Sequence, residues 1–179
     1  ALPSIGARVP GSENERLAAA YITETFAKLG YTPETTRFSA WDENDEAYAS
    51  QNVIAVKQGS SPKAIIVGAH YDSGEESLGA DDNASGVAAL VELARVFAAG
   101  PLPRRTLVFA AFSGEELGIL GSSHFASHPP VPLDSVQAMI NMDMVGRPKD
   151  GKITVGGVGS SPGFAEEVKR AGEAVGLGV

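Results

Sequence analysis

The chain of 179 residues carries 14 Lys and Arg against 22 Asp and Glu, a formal net charge of -8, and 43% hydrophobic residues. This length predicts one domain, and the apolar content excludes a disordered chain. The acidic balance argues against binding to nucleic acid or to an anionic membrane, because both require a basic surface. Since there are three His and no Cys, a metal centre would have to use His and carboxylates.

No apolar run approaches the roughly 18 to 20 residues of a membrane span, and the longest, such as 106–112, are the size of strands. These runs predict a soluble protein without membrane contacts. The sequence starts at Ala1 without a Met or a leader, so we expect that a signal peptide has been removed or that the chain has been shortened. The first alternative implies a secreted or periplasmic protein.

The first third of the chain predicts a helix, a strand and a loop. Ser12 and Glu15 have the spacing of a reciprocal capping box, and apolar residues then recur at helical period, which predicts a helix from about Glu13 to Leu29. The segment Thr32 to Trp41 is rich in Thr and aromatic residues and predicts a strand. The acidic segment Asp42 to Ser50 predicts a solvated loop.

The rest of the chain alternates between strand and helix patterns. Continuous apolar runs at 64–69, 107–112 and 136–141 are typical of strands buried on both faces. Shorter strands are predicted at 52–57 and 153–156. Helices are predicted at 86–98, 118–127 and 162–175. This alternation predicts an α/β sandwich around a largely parallel sheet.

Polar segments follow the buried strands, where ligands bind in sheets of this kind. They contain His70, Asp72, the pair Asp81-Asp82, the pair Glu115-Glu116, and Asp143. Each has a simpler interpretation in isolation. His70 and Asp72 fit a surface pair, Asp81-Asp82 fits a solvated turn or a calcium loop, and Glu115-Glu116 fits a contact with a helix dipole. Several carboxylates at one edge would repel one another, and a divalent cation is the simplest neutraliser. Together they predict a metal site.

Four motifs carry a family resemblance. They are Gly68-Ala69-His70-Tyr71-Asp72-Ser73, Gly79 to Gly86, Ser113 to Gly118, and Asn141-Met142-Asp143-Met144-Val145-Gly146. In their order and spacing these motifs are similar to those of the co-catalytic zinc aminopeptidases of metallopeptidase family 28. The resemblance extends from about Gly11 to the last residue. It implies a three-layer α/β sandwich around a mixed, mostly parallel sheet, with the C-terminal part of the family domain missing.

The resemblance also implies a set of zinc ligands. His70 and Asp143 correspond to ligands of one zinc, Asp82 to the bridging carboxylate, and Glu116 to a ligand of the second zinc. A bridge needs a carboxylate, whose two oxygens reach ions about 3.5 to 4 Å apart. The bond between Asp82 and Asn83 resembles one that is cis in family members. Zinc is the expected metal, although a carboxylate-rich site also tolerates Co or Mn.

Two further carboxylates correspond to residues that assist the metal. Glu115 resembles the general base that takes a proton from water and passes it to the leaving amine. Asp72 resembles the residue that orients the imidazole of His70. The resemblance therefore implies an aminopeptidase that releases N-terminal residues from peptides.

One family feature is missing. Family members carry a fifth ligand, a His in a Ser-Asp-His motif, and this sequence has none. His124 and His128 have the spacing of a helical zinc pair, but His128 precedes Pro129, so we predict surface or packing roles for both. We expect a single catalytic domain over 1–179 that is incomplete at its C-terminus. The chain is then a shortened form, a partner of a second polypeptide that completes the domain, or a natural form with one metal.

Other functions stay open from the sequence. Within enzymes, these are a carboxypeptidase or dipeptidase of the same clan and a glutaminyl cyclase. From a different class, the alternative is a metal-stabilised binding module or fragment, like the family's non-enzymatic receptor. The presence of Glu115 beside Asp82 favours hydrolysis with two metals. Side-chain specificity has no signal in the sequence.

Overall fold

The computed structural model describes residues 1–41 and 47–179. These form two compact units, Ala1–Met144 and Val145–Val179. The helices are α1 (Glu13–Lys28), α2 (Gly86–Ala99), α3 (Leu120–Ser127) and α4 (Phe164–Val175). The strands are β1 (Glu34–Trp41), β2 (Ala47–Lys57), β3 (Ser61–His70), β4 (Arg105–Phe112) and β5 (Val136–Asn141).

The strands form one mixed sheet with the order β1-β2-β4-β3-β5. The pairs β1-β2 and β2-β4 are antiparallel, whereas β3 lies between β4 and β5 and is parallel to both. His70 is in register with Phe112, and Gly68 with Asn141. The carboxyl ends of β3, β4 and β5 therefore meet at one edge of the sheet, as the sequence predicted.

Alternate residues of the central strands pack against helices on opposite faces, which confirms the three-layer α/β fold. On one face, Val67 and Phe109 join a core that contains Ile22 of α1 and Leu90 of α2. On the other face, Ile66, Val108 and Phe112 pack with Phe125 of α3. The period of two in the strands thus places α1 and α2 on one side and α3 on the other.

Two predictions for individual strands are wrong. Residues 47–50 belong to β2 and not to a loop, because they pair with β1 through Ala47 opposite Trp41 and Ser50 opposite Phe38. The loop prediction for 42–46 lies outside the described residues. Strand β5 is largely exposed instead of buried, because it forms the edge of the described sheet and pairs only with β3.

The second unit consists of α4 and irregular backbone. Residues 153–156 of the described chain form no strand, contrary to the prediction; Lys152 makes isolated bridges to Lys149 and Gly178. Gly178 N donates to Gly151 O at 2.9 Å, and Gly178 O accepts from Ile153 N at 2.9 Å. Within residues 1–41 and 47–179, no helix has both the length and the apolar character needed to cross a membrane.

Candidate metal centre

His70 lies at the carboxyl end of β3 and is 2% exposed. Its Nε2 atom lies 3.1 Å from Asp82 Oδ1 and 3.3 Å from Asp143 Oδ1. Its Nδ1 atom lies 3.4 Å from Oδ1 of the buried Asp72, and neither of these two atoms has a hydrogen-bond partner among the described residues. One imidazole is therefore surrounded by three carboxylates that come from three different segments.

This arrangement fits a metal cation. The donor atoms of His70, Asp82 and Asp143 all lie within 4.8 Å of one another. Two carboxylate oxygens beside Nε2 would repel its lone pair, so the geometry requires a proton or a metal cation between them. An imidazole nitrogen and carboxylate oxygens are ligands that zinc accepts. Asp72 is placed to receive the Nδ1 proton and so leave Nε2 free for a metal.

The electrostatics of His70 also favour positive charge. Burial lowers the pKa of His70, but the nearby carboxylate of Asp72, followed by the charges of Asp143 and Glu115, raises it to about 9. The surrounding carboxylates thus outweigh the cost of burying an imidazolium.

Asn83 ties the segment that carries Asp82 to the segment that carries Asp143. Its buried side chain donates from Nδ2 to Met142 O at 2.9 Å, and its Oδ1 accepts from Gly86 N at 2.9 Å. The Asp82-Asn83 peptide bond is cis, as the resemblance implied. The amide of Asn83 therefore connects the turn at 80–85, the first residue of α2 and the end of β5.

Glu116 follows β4 and lies beside this cluster but outside the group of three converging ligand atoms. Its main-chain N donates to Asp72 Oδ2 at 3.1 Å, and its carboxylate accepts from Gly74 N at 3.2 Å. Burial raises the pKa of Glu116, and the charge of Asp82 raises it further, whereas the bond from Gly74 lowers it. Its carboxylate is thus close enough to Asp82 for the two charges to interact.

Glu115 is coupled to the same groups. Burial raises the pKa of Glu115; the charge of His70 lowers it, and the charges of Asp72 and Asp143 raise it again. A carboxylate in such surroundings holds a proton more strongly than one in water. Glu115 therefore combines proximity to the cluster with increased basicity, as a proton acceptor requires.

Comparison with known proteins identifies the family. The sequence profile of peptidase family M28 matches residues 52–179. The chain belongs to peptidase family M28. Aminopeptidase YwaD of Bacillus subtilis is 43% identical over 101 residues, which cover 54% of this chain and 22% of that protein. The chain spans between 21% and 26% of the length of the first three curated relatives that it matches.

Solved structures share the fold of this M28 chain. Porphyromonas gingivalis glutaminyl cyclase superposes with a TM-score of 0.86 at 22% identity, over 98% of this chain and 67% of that chain. A zinc aminopeptidase from Bacillus subtilis superposes with a TM-score of 0.82 at 20% identity, over 97% of this chain and 74% of that chain. Both likenesses support the α/β fold that the sequence predicted.

Three buried polar residues of the M28 chain lie close to the site but were not predicted from the sequence. Arg8 and Asn52 are 0% exposed and contact loops that carry the predicted ligands. Glu15 was predicted to cap α1 reciprocally. Ser12 does accept from Glu15 N at 3.1 Å, but the buried Glu15 carboxylate instead contacts Ser50 and Tyr71. For Asn52, an amide directly before the apolar run 53–56 is an available sequence signal, whereas Arg8 has none.

The two remaining histidines of the M28 chain lie on α3 and just beyond it. The His124 ring stacks on Phe38 with centroids 5.3 Å apart and on His128 with centroids 4.5 Å apart. Nδ1 of His128 also lies 3.2 Å from His124 O. Ring stacking of this kind matches the packing role that we predicted for them.

Proposed function

We propose that this protein is part of a zinc-dependent aminopeptidase. The observation that carries the proposal is the placement of His70 Nε2 against carboxylate oxygens of Asp82 and Asp143, at the edge where the parallel strands end. Membership of peptidase family M28 supports a peptide substrate. The name of the Bacillus subtilis relative supports cleavage from the N-terminus.

The proposed ligands divide between two metal positions. His70 and Asp143 would hold one zinc, Glu116 would hold the second, and Asp82 would be a ligand shared by both. A bound zinc would supply a Lewis acid that polarises the scissile carbonyl and lowers the pKa of a water. Asp72 keeps the Nδ1 proton of His70 in place, so that Nε2 presents its lone pair.

Glu115 is the proposed general base. Its carboxylate takes a proton from the attacking water while the water oxygen forms a bond to the carbonyl carbon. Glu115 then delivers that proton to the leaving amine nitrogen as the carbon–nitrogen bond breaks. The raised pKa of Glu115 supports this role, because the group must hold the proton between the two transfers.

Two other reactions of the same fold make different demands on the substrate. The glutaminyl cyclase likeness is a likeness of fold at 22% identity, whereas the relative named an aminopeptidase is 43% identical over 101 residues. We therefore favour the aminopeptidase. Two substrates, each assayed with and without a chelator, distinguish these enzymes: an aminopeptidase hydrolyses an aminoacyl p-nitroanilide, and a glutaminyl cyclase acts on a glutaminyl peptide. A carboxypeptidase would still cleave a peptide whose N-terminus is blocked.

We further propose that 1–179 forms most of one catalytic domain, whose remainder supplies the fifth ligand and part of the substrate pocket. This chain covers 67% and 74% of the two solved structures, which supports the proposal.

Export from the cytoplasm is also part of the proposal. Its support is a relative from Mycobacterium tuberculosis that is named a probable lipoprotein aminopeptidase, and cell fractionation tests it.

The Glu115→Gln variant tests the mechanism. Gln keeps the shape of the side chain but cannot accept the proton, so we expect unchanged zinc content and a loss of at least about 100-fold in kcat. Glu76→Gln, an exposed acid of the loop at 71–79, is the matched control and should retain full activity. Undiminished turnover in Glu115→Gln would overturn the assignment of the base. Metal content without turnover in the unmodified protein, under saturating zinc, would favour the binding module or a metal-binding fragment of the catalytic domain.

A further inference from the structure

We propose that Arg8 is a positioning residue for the metal centre, which it serves by fixing His70 and Asp82 relative to each other. This inference rests on the proposed metal site. Arg8 is 0% exposed although it lies near the start of the chain, between the short 3-10 turn Leu2–Ile5 and helix α1. A fully buried arginine is uncommon and needs partners for its guanidinium group.

The partners of Arg8 are main-chain carbonyls. Its Nε donates to Tyr71 O at 2.6 Å, Nη1 donates to Leu78 O at 2.7 Å, and Nη2 donates to Gly79 O at 2.9 Å. Among the described residues, Arg8 forms no ion pair with a carboxylate. The rigid fork of the guanidinium therefore holds backbone and not a counter-ion.

These carbonyls belong to the two segments that present metal ligands. Tyr71 lies between His70 and Asp72, at the end of β3, and Gly79 directly precedes the turn at 80–85 that carries Asp82. One planar group thus joins both ends of the loop at 71–79. A shift of the turn away from the guanidinium would separate His70 Nε2 from Asp82 Oδ1, which lie 3.1 Å apart.

The main chains of these segments are held together as well. Arg8 N donates to Ser73 Oγ at 3.0 Å, and Ser73 N donates to Arg8 O at 3.3 Å. Gly79 has a φ of 56°, and a Cβ atom there would lie 2.3 Å from Arg8 Nη2, so the backbone approaches the guanidinium as only glycine allows. The loop is therefore closed around Arg8 from both sides.

The charge of Arg8 also reaches the site. Burial lowers the pKa of Arg8, whereas the charges of Asp72, Asp82 and Glu116 raise it, so the guanidinium and these carboxylates stabilise one another. A permanent cation behind the carboxylates reduces their mutual repulsion before a metal binds. Arg8 thereby serves the metal centre through geometry and through charge.

Arg8→Lys separates these contributions, because Lys keeps the positive charge but lacks the fork. The measurement is the dissociation constant for Co²⁺, together with the cobalt absorption spectrum, on the full chain. We expect affinity to fall about 10- to 100-fold, as for other residues that orient ligands, and the spectrum to change. Arg8→Met, which loses the charge as well, should bind Co²⁺ still more weakly.

Phe26→Leu is the matched control, because Phe26 is buried in the apolar core, packs its ring against Tyr31, and makes none of the hydrogen bonds that Arg8 makes to the loop at 71–79. It should lower Tm and leave cobalt affinity and spectrum unchanged. Equal losses of affinity in Phe26→Leu and Arg8→Lys, or no loss in Arg8→Lys, would overturn the proposal.

Ser73→Ala keeps the inference testable if neither Arg8 variant folds. It removes the hydroxyl that accepts from Arg8 N and donates to Ser77 O, and it leaves the guanidinium contacts in place, so we expect a smaller loss of affinity, roughly threefold. Unchanged cobalt affinity in Ser73→Ala would then count against a positioning role. Failure of the unmodified protein to bind Co²⁺ would instead overturn the metal site itself.

Discussion

Asn52 of β2 donates from Nδ2 to Gly121 O at 2.8 Å, although the two residues are 69 positions apart. Its Oδ1 accepts from Ser113 N at 3.2 Å. Gly121 N also donates to Ser113 O at 2.9 Å, so the two ends of the loop are paired with each other. One buried amide therefore closes the loop that carries Glu115 and Glu116.

We predict that Asn52→Leu lowers both stability and turnover. Leu fills a similar volume but leaves the N–H of Ser113 and the carbonyl of Gly121 without this partner, which costs about 1 to 3 kcal/mol per buried group. The loop then positions Glu115 less well, so kcat should fall more than KM rises. Urea unfolding and steady-state kinetics measure the two effects. Gln51→Ala, on the other face of β2, is the control; equal losses in both variants would contradict the role of the amide.

We predict that Gly121→Ala disrupts the same closure from the opposite side. A Cβ atom at residue 121 would lie 2.2 Å from Ser113 O and 2.3 Å from Asn52 Oδ1, distances that packed atoms do not reach. The first of these contacts is with backbone, so the loop itself must move. The free energy of unfolding should fall by about 1 to 3 kcal/mol, as for an overpacked core. Gly156→Ala has open space around its Cβ and should leave stability unchanged; a neutral Gly121→Ala would show that the loop adapts.

The places of the proposed ligands in the fold could be predicted because they follow local patterns. Apolar runs marked β3 and β4, and the polar residues after such runs share an edge in any sheet whose strands are parallel. The assignment of His70, Asp82 and Asp143 to one metal needed the family resemblance as well. Spacing along the chain does not specify that side chains from three segments converge.

The remaining features depend on contacts between distant segments. The exposure of β5 follows from its place at the sheet edge, which an apolar run such as Val136–Asn141 does not encode. Glu15 has the capping-box spacing, yet burial beside Tyr71 outweighed the local hydrogen bond to the helix start. Arg8 has no local pattern that indicates this role, because three of its carbonyl partners are 63 to 71 positions away.

The buried Glu15 predicts an unusual dependence of stability on pH. Burial raises the pKa of Glu15, although hydrogen bonds from Tyr71 and Ser50 oppose the shift. The Tyr71 hydroxyl contacts both the Glu15 carboxyl and Gln51 O but has one proton, so a protonated Glu15 that donates to Tyr71 lets both contacts form. The folded state therefore favours neutral Glu15.

We predict that Glu15→Gln gains stability relative to the unmodified protein as pH rises. A carboxyl whose pKa is raised by folding stabilises fully below its unfolded pKa, about 4.3, and this contribution is lost as pH rises through the folded pKa. Gln keeps a neutral donor and does not titrate. The difference in Tm between the two proteins should therefore increase from pH 4 to about pH 8. Glu13→Gln controls for the loss of a charge in the same turn, and a constant difference in Glu15→Gln would contradict a raised pKa.

We predict that substitution of His70, but not of His124 in the stacked pair, lowers the affinity for zinc. His70→Gln removes the nitrogen that faces Asp82 and Asp143. Loss of a residue that only orients a ligand lowers metal affinity about 10- to 100-fold, and we expect a larger loss of zinc affinity in His70→Gln. His124→Gln removes a ring that stacks on Phe38 and should cost some stability while leaving zinc affinity intact. Competition with a chromophoric chelator measures both affinities at one pH. A larger loss of affinity in His124→Gln than in His70→Gln would move the metal to α3 and overturn the proposed centre.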